Sequence, residues 1–264
     1  MTPIAAKFAE LRSRGEKALI LFVTAGDPNL NELPAVLSAL VEGGADIIEV
    51  GIPFSDPIAD GPTIQASTQR ALDQGVTPRS IFDVLHSWVP RVPLVAMGYY
   101  NTVLRLGLVR SAMALKEAHI AGTILSDLTP EESDGWKLAS QGANLDTVFL
   151  AAPTSTDARL DEVCSRSSGF VYAVSRTGVT SAQVSVPLEA RDLVARIKAR
   201  TNLPVCVGFG ISAPEHVQMV CEVADGAVIG SYLVDQIARN WKGGAGRNEI
   251  VSLIRNLKAA TVAV

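Results

Sequence analysis

The sequence predicts a (β/α)₈ barrel. Three observations carry this: short β-branched runs alternate with longer stretches of helical period, eight such runs occur, and each is apolar on both faces, as a parallel strand covered by helices must be. With 264 residues, 48% hydrophobic and 19% charged, the chain is long enough to bury one large core. Residues 1–264 are therefore read as a single domain with an extra helix at the N-terminus. A doubly wound open sheet is the alternative, but six strands would be more usual for it, and no GxGxxG follows the first run.

The first run is residues 19–23, followed by a helix through Pro34 to Val41. Residues 46–50 form the second, and a long loop and two helical stretches separate it from the third, 92–97. The others are 122–125, 146–150, 169–174, 204–207 and 226–229, which makes eight. Gly243-Gly244-Ala245-Gly246 reads as a turn before the last helix.

Several function classes fall away on composition. A net charge of -4 without a Lys/Arg cluster argues against a nucleic-acid binder, which must neutralise phosphates. The N-terminal segment carries charges at helical spacing rather than the apolar core of a secretory signal, and no apolar stretch reaches the length of a membrane span. Cys164, Cys206 and Cys221 are far apart and not in CxxC spacing, so they read as buried thiols of a reduced, cytoplasmic protein.

In such a barrel the active site lies at the C-terminal ends of the strands, which removes most polar residues from consideration. All seven lysines fall on predicted helices, their flanks or the start of the first strand, so none suits a Schiff base. His86, His119 and His216 have no metal-ligand spacing.

Carboxylates survive the filter. Glu49 sits within Ile47-Ile48-Glu49-Val50, where apolar surroundings would raise its pKa and make it a proton donor that can also act as base near neutrality; a satisfied structural ion pair is the alternative. Asp60 follows in a long loop stiffened by Pro53, Pro57 and Pro62, a segment suited to closing over a ligand or docking a partner. Its alternative role, shared with Asp56, is as an N-cap for the next helix.

Glycine-rich segments come late. Gly208-Phe209-Gly210-Ile211-Ser212 follows the seventh run, Gly230-Ser231 the eighth and Arg176-Thr177-Gly178-Val179-Thr180 the sixth. Loops after strands seven and eight are where such barrels hold phosphate on backbone N–H groups. Phe22, Met97, Tyr99, Tyr100, Ile124, Tyr172 and Phe209 would wall one side of the mouth, which suits a flat apolar ring joined to a phosphate tail.

The segments Phe22-Val23-Thr24-Ala25-Gly26-Asp27-Pro28, Ile48 to Gln65 with its Glu49-Val50-Gly51-Ile52-Pro53-Phe54-Ser55-Asp56-Pro57-Ile58-Ala59-Asp60-Gly61 core, Ala152-Pro153-Thr154-Ser155, Ser175 to Thr180, and Gly208 to Ser212 resemble the α subunits of tryptophan synthase. The resemblance runs from the first strand to the eighth. It implies a lyase that splits indole-3-glycerol phosphate by retro-aldol cleavage into indole and glyceraldehyde 3-phosphate. Glu49 would be the acid/base and Asp60 the acceptor of the indole N–H. Phe22, Tyr99, Ile124, Tyr172 and Phe209 would line the indole pocket, and Thr180 would meet Asp60 when the loop after strand six closes. Gly178, Ser181, Gly210, Gly230 and Ser231 would hold the phosphate, and Asp127 would be a polar residue at the end of strand four.

The resemblance further implies an α₂β₂ assembly, with Pro53, Asp56, Pro57 and Asn101 facing a β subunit that carries pyridoxal phosphate, this chain itself needing no cofactor. A free-standing lyase that releases indole, or a weakly catalytic activator of the β subunit, are the alternatives. Three positions depart from the family pattern: Ser181 replaces a glycine, Thr102 stands where proline commonly follows Tyr-Tyr-Asn, and Ser126-Asp127-Leu128-Thr129 differs from the usual Asp-Leu-Pro run while keeping the aspartate.

Overall fold

A computed structural model describes residues 1–174, 188–208 and 210–262. Among these residues nine parallel strands form one sheet: β1 (Ala18–Thr24), β2 (Ile47–Gly51), β3 (Leu94–Gly98), β4 (Ile120–Leu125), β5 (Asp146–Val148), β6 (Leu150–Ala151), β7 (Val171–Val174), β8 (Val205–Gly208) and β9 (Gly226–Ile229). Their order is β5-β4-β3-β2-β1-β9-β8-β7-β6. The two ends of that order, β5 and β6, are consecutive in the chain, so the sheet closes on itself through Phe149.

The fifth expected strand, 146–150, is therefore two. Its ladder is interrupted because the Thr147 N–H donates to Ser168 Oγ (2.9 Å) and the Phe149 N–H to Ser167 Oγ (3.4 Å). Side-chain hydroxyls take the place of strand neighbours there. The other seven runs match the strands to within two residues at either end.

Strand parity sorts the side chains into two layers. In β1, Leu19, Leu21 and Val23 face outward onto the helices, while Ala18 and Ile20 join the barrel interior with Ile47, Val95, Val148, Phe170 and Val228. In β2, Ile48 and Val50 face outward and Ile47 inward. The same alternation turns Glu49 inward, one step above Ile47 and in register with Phe22 of β1.

The N-terminal helix Pro3–Ser13 explains which end of the barrel is open. Thr2 caps it by accepting from the Ala5 N–H at 3.3 Å, and Pro3 suits its first turn. Its buried stripe of Ile4, Phe8 and Leu11 packs into the same cluster as the barrel interior, which closes the N-terminal face. The carboxyl ends of the strands lie at the opposite face. Among the described residues no helix is long and apolar enough to cross a membrane.

Candidate active site

A cavity of about 810 Å³ opens at the C-terminal ends of the strands. Its lining brings together Glu49 from β2, Asp60 from the following loop, and Gly210, Gly230 and Ser231 from the loops after β8 and β9. Phe22, Ile64, Met97, Leu150, Tyr172 and Val228 supply most of the apolar wall.

Glu49 is fully buried, and neither carboxyl oxygen has a hydrogen-bond partner among the described residues. Among the described residues no ion-pair partner reaches it. Burial pushes its carboxyl from 4.5 up to about 8, so at neutral pH it holds its proton. Two glycines let rings pack beside it. A Cβ on Gly51 would lie 2.5 Å from Phe22 Cζ, and one on Gly208 would lie 2.5 Å from the Tyr172 hydroxyl. Tyr172 is itself kept neutral, first by burial and then by any charge on Glu49.

The elevated Glu49 pKa has a consequence for stability. Between pH 4.5 and about 8 the unfolded chain releases this proton while the folded chain keeps it, so stability falls as pH rises through that window and levels off above it. Glu49→Gln removes the effect. The difference in Tm, variant minus parent, is expected to grow from acid pH to about pH 8; a difference that stays constant in thermal melts would contradict the assignment.

Asp60 is half-buried at the rim. Tyr99 donates its hydroxyl hydrogen to Asp60 Oδ2 at 3.0 Å and accepts from the Ala59 N–H at 3.0 Å. Burial raises the Asp60 pKa, and the Tyr99 hydrogen bond opposes the rise by favouring the carboxylate. Tyr99 is in turn stacked on Phe54, with ring centroids 5.0 Å apart. The N-cap alternative for Asp60 fails: the helix Pro62–Asp73 has Gly61 at its cap and no side-chain cap bond. Asp56 does not cap it either, its carboxylate accepting from Ser55 Oγ at 2.5 Å.

At the far end of the cavity the helix Ser231–Asn240 begins at Gly230, which makes no side-chain cap bond. Gly210 adopts φ 50°, a backbone region that glycine reaches without strain. The described lining contains no lysine or arginine. An anion there would be held by backbone N–H groups and the positive end of the helix.

Some expected residues take other places. Ile124 is fully buried within the barrel interior and is not part of the cavity wall. Tyr99 is likewise absent from the wall and acts on Asp60 instead. Tyr100 packs on the outer core, where its N–H donates to Asp127 Oδ1 at 2.6 Å, so Asp127 secures the start of the helix Tyr100–Leu106. Pro53 is buried, whereas Asp56 and Asn101 are exposed and Pro57 is half-buried. Thr180, Gly178, Ser181 and Phe209 lie outside the described residues.

Ile64, Ser126, Leu150, Val228, Glu189 and Tyr232 also line the cavity. Inward parity next to Tyr172 and Gly230 could have flagged Leu150 and Val228 in the sequence. No local pattern marks Glu189, an exposed acid at the start of the helix Leu188–Lys198.

The family model for the tryptophan synthase alpha chain matches residues 8–262. The chain belongs to this family. The tryptophan synthase alpha chain of Geobacter sulfurreducens is 44% identical over 262 residues, covering 98% of this chain and 99% of its own. That of Methanocaldococcus jannaschii is 42% identical over 240 residues, covering 90% and 85%. Among solved structures, a ligand-free tryptophan synthase of M. tuberculosis superposes with a TM-score of 0.90 at 35% identity, with full coverage of both chains. The tryptophan synthase subunit alpha of Legionella pneumophila gives a TM-score of 0.90 at 31% identity, covering 99% and 98%. Membership in the alpha-chain family makes the barrel that of a lyase of tryptophan biosynthesis.

Proposed function

We propose that Glu49 and Asp60 carry out the retro-aldol cleavage of indole-3-glycerol phosphate to indole and glyceraldehyde 3-phosphate. The observation that supports this most strongly is a fully buried carboxyl, without a hydrogen-bond partner among the described residues, on the same cavity as a second carboxyl held by Tyr99. The apolar wall takes the indole ring, and the backbone of Gly210, Gly230 and Ser231 takes the phosphate.

Asp60 accepts the ring N–H and stabilises positive charge as it develops on the ring. Glu49 delivers its proton to the indole carbon that bears the glycerol chain, giving an indolenine cation. Left as a carboxylate in an apolar setting, Glu49 is now a strong base, and it takes the proton of the adjacent hydroxyl. The carbon–carbon bond breaks as that oxygen becomes the aldehyde, and its electron pair restores the aromatic ring. One proton is given and one recovered, so the chemistry calls for no cofactor. None of the seven lysines reaches the cavity, so a Schiff-base route has no candidate.

We further propose that the partner is a tryptophan synthase β subunit in an α₂β₂ assembly, which holds the pyridoxal phosphate and receives the indole. In support, Ile58, Leu104, Leu106 and Val109 are 85%, 47%, 45% and 69% exposed, and Asp56 and Asn101 are exposed on the same loop and helix as Ile58 and Leu104. Exposed apolar side chains beside polar ones are what a protein interface is built from. Leu104→Glu is expected to weaken β-subunit binding by roughly 2 kcal/mol, about thirtyfold in Kd. Calorimetry checks this, and unchanged affinity would remove the surface from the proposal.

The function itself is tested by incubating the chain with indole-3-glycerol phosphate, alone and with a β subunit. Slow release of indole and glyceraldehyde 3-phosphate, accelerated by the partner, is expected. Equal turnover with and without it would favour a free-standing lyase, and no cleavage in either case would overturn the assignment.

A further inference from the structure

Asp60 owes its place to more than Tyr99. The helix that follows it starts without a cap: Gly61 has no side chain, and Pro62 has no N–H. From the next turn of that helix Gln65 reaches backward. Its side-chain amide donates to the Asp60 carbonyl at 2.8 Å and lies 3.5 Å from the Pro57 carbonyl. The Asp60 N–H also donates to the Pro57 carbonyl, at 3.1 Å. Gln65 is exposed and is not part of the cavity wall, so it has no direct access to a bound ring.

The segment Pro57–Asp60 is thus a tight loop held on both sides. Tyr99 grips the Ala59 N–H and the Asp60 carboxylate from the barrel side, and Gln65 grips the Asp60 carbonyl from the helix side. The two grips differ in kind. Tyr99 touches the carboxylate itself, whereas Gln65 touches only main-chain oxygens and fixes the backbone from which the carboxylate projects. In a capping box a glutamine at the third helical position reaches back to accept from the cap N–H, but Gln65 stands at the fourth. Here it donates to a carbonyl one residue further out, which ties the helix to the acid instead of closing the helix on itself.

We propose that Gln65 is a positioning residue for Asp60, its side-chain amide pinning the Asp60 carbonyl so that the carboxylate stays at the cavity rim. This rests on the reading of Asp60 as the acceptor of the ring N–H. Without the amide, the loop keeps its fold but the carboxylate samples positions displaced from the ring. A displacement of about 1 Å at a reacting centre is enough to cost up to about a hundredfold in rate.

The test uses Gln65→Met in the full chain, a substitution that keeps the length and helical preference of the side chain and removes its amide. Indole-3-glycerol phosphate cleavage is expected to lose on the order of tenfold or more in kcat, with a smaller change in KM, because the phosphate contacts are untouched. A second measurement does not depend on activity. Carboxyl NMR of Asp60, whose touching titratable neighbour is Tyr99, is expected to show its titration moving down toward the ordinary aspartate value as the loosened side chain gains solvent.

An unchanged Asp60 titration overturns the proposal, whatever happens to the rate, because Gln65 would then act by another route. An unchanged kcat overturns it as well. If the parent chain fails to cleave the substrate at all, the reading of the function fails, while the titration still decides whether Gln65 holds Asp60.

Discussion

Glu49→Gln is expected to lower kcat for cleavage of indole-3-glycerol phosphate by roughly 10²–10⁴, the range of a lost general acid/base. Glutamine has the same shape and fits the same buried position, so binding should change little and the loss should fall on kcat. The effect is large because one group performs both proton transfers, and the amide can neither give a proton to carbon nor take one from the hydroxyl. In the parent chain, burial pushes the carboxyl up to about 8, so the proton-donating form declines as pH rises through that value. Cleavage by the free enzyme should fall on the alkaline side accordingly. Steady-state rates from mildly acidic to alkaline pH check both points, and a Glu49→Gln enzyme with parental kcat would remove Glu49 from the mechanism.

Asp60→Asn is the second large effect, with an expected loss on the order of 10²–10³ in kcat. Asparagine still offers an oxygen to the ring N–H, so ground-state contact survives. What disappears is the negative charge opposite a ring that turns cationic, an interaction made chiefly in the transition state. Because the Tyr99 hydroxyl donates to the same carboxylate at 3.0 Å, Tyr99→Phe should cost less than Asp60→Asn and little more when added to it. Full additivity of the two losses would show that Tyr99 does not act through Asp60.

How far the sequence could be read depended on which physical rule each residue obeyed. Inward placement of Phe22 and Glu49 follows from strand period alone, and the structure has them in register on β1 and β2. Height along the barrel does not follow from period. Met97 and Ile124 are paired across β3 and β4, yet Met97 lines the cavity while Ile124 is sealed in the interior. Strands in a barrel are tilted, so paired inward residues need not share a layer.

The role of Tyr99 was hidden for a different reason. An aromatic residue just past a strand reads as pocket wall, and nothing local reveals that its hydroxyl meets an acid 39 residues earlier. The break of the fifth strand at Phe149 depends on Ser167 and Ser168, hydroxyls from a later loop. Gln65 stood inside the motif quoted for the family, but its donation to Asp60 becomes visible only with the backbone in place.

The most direct measurement of the central claim is a crystal structure of this chain with indole-propanol phosphate, a substrate mimic that lacks the cleavable hydroxyl. The ring should lie between Glu49 and Asp60, its N–H on the Asp60 carboxylate and its substituted carbon turned toward Glu49, with the phosphate on the backbone of Gly210, Gly230 and Ser231. A ring lodged away from the two acids, or a phosphate bound anywhere other than those loops, would contradict the account.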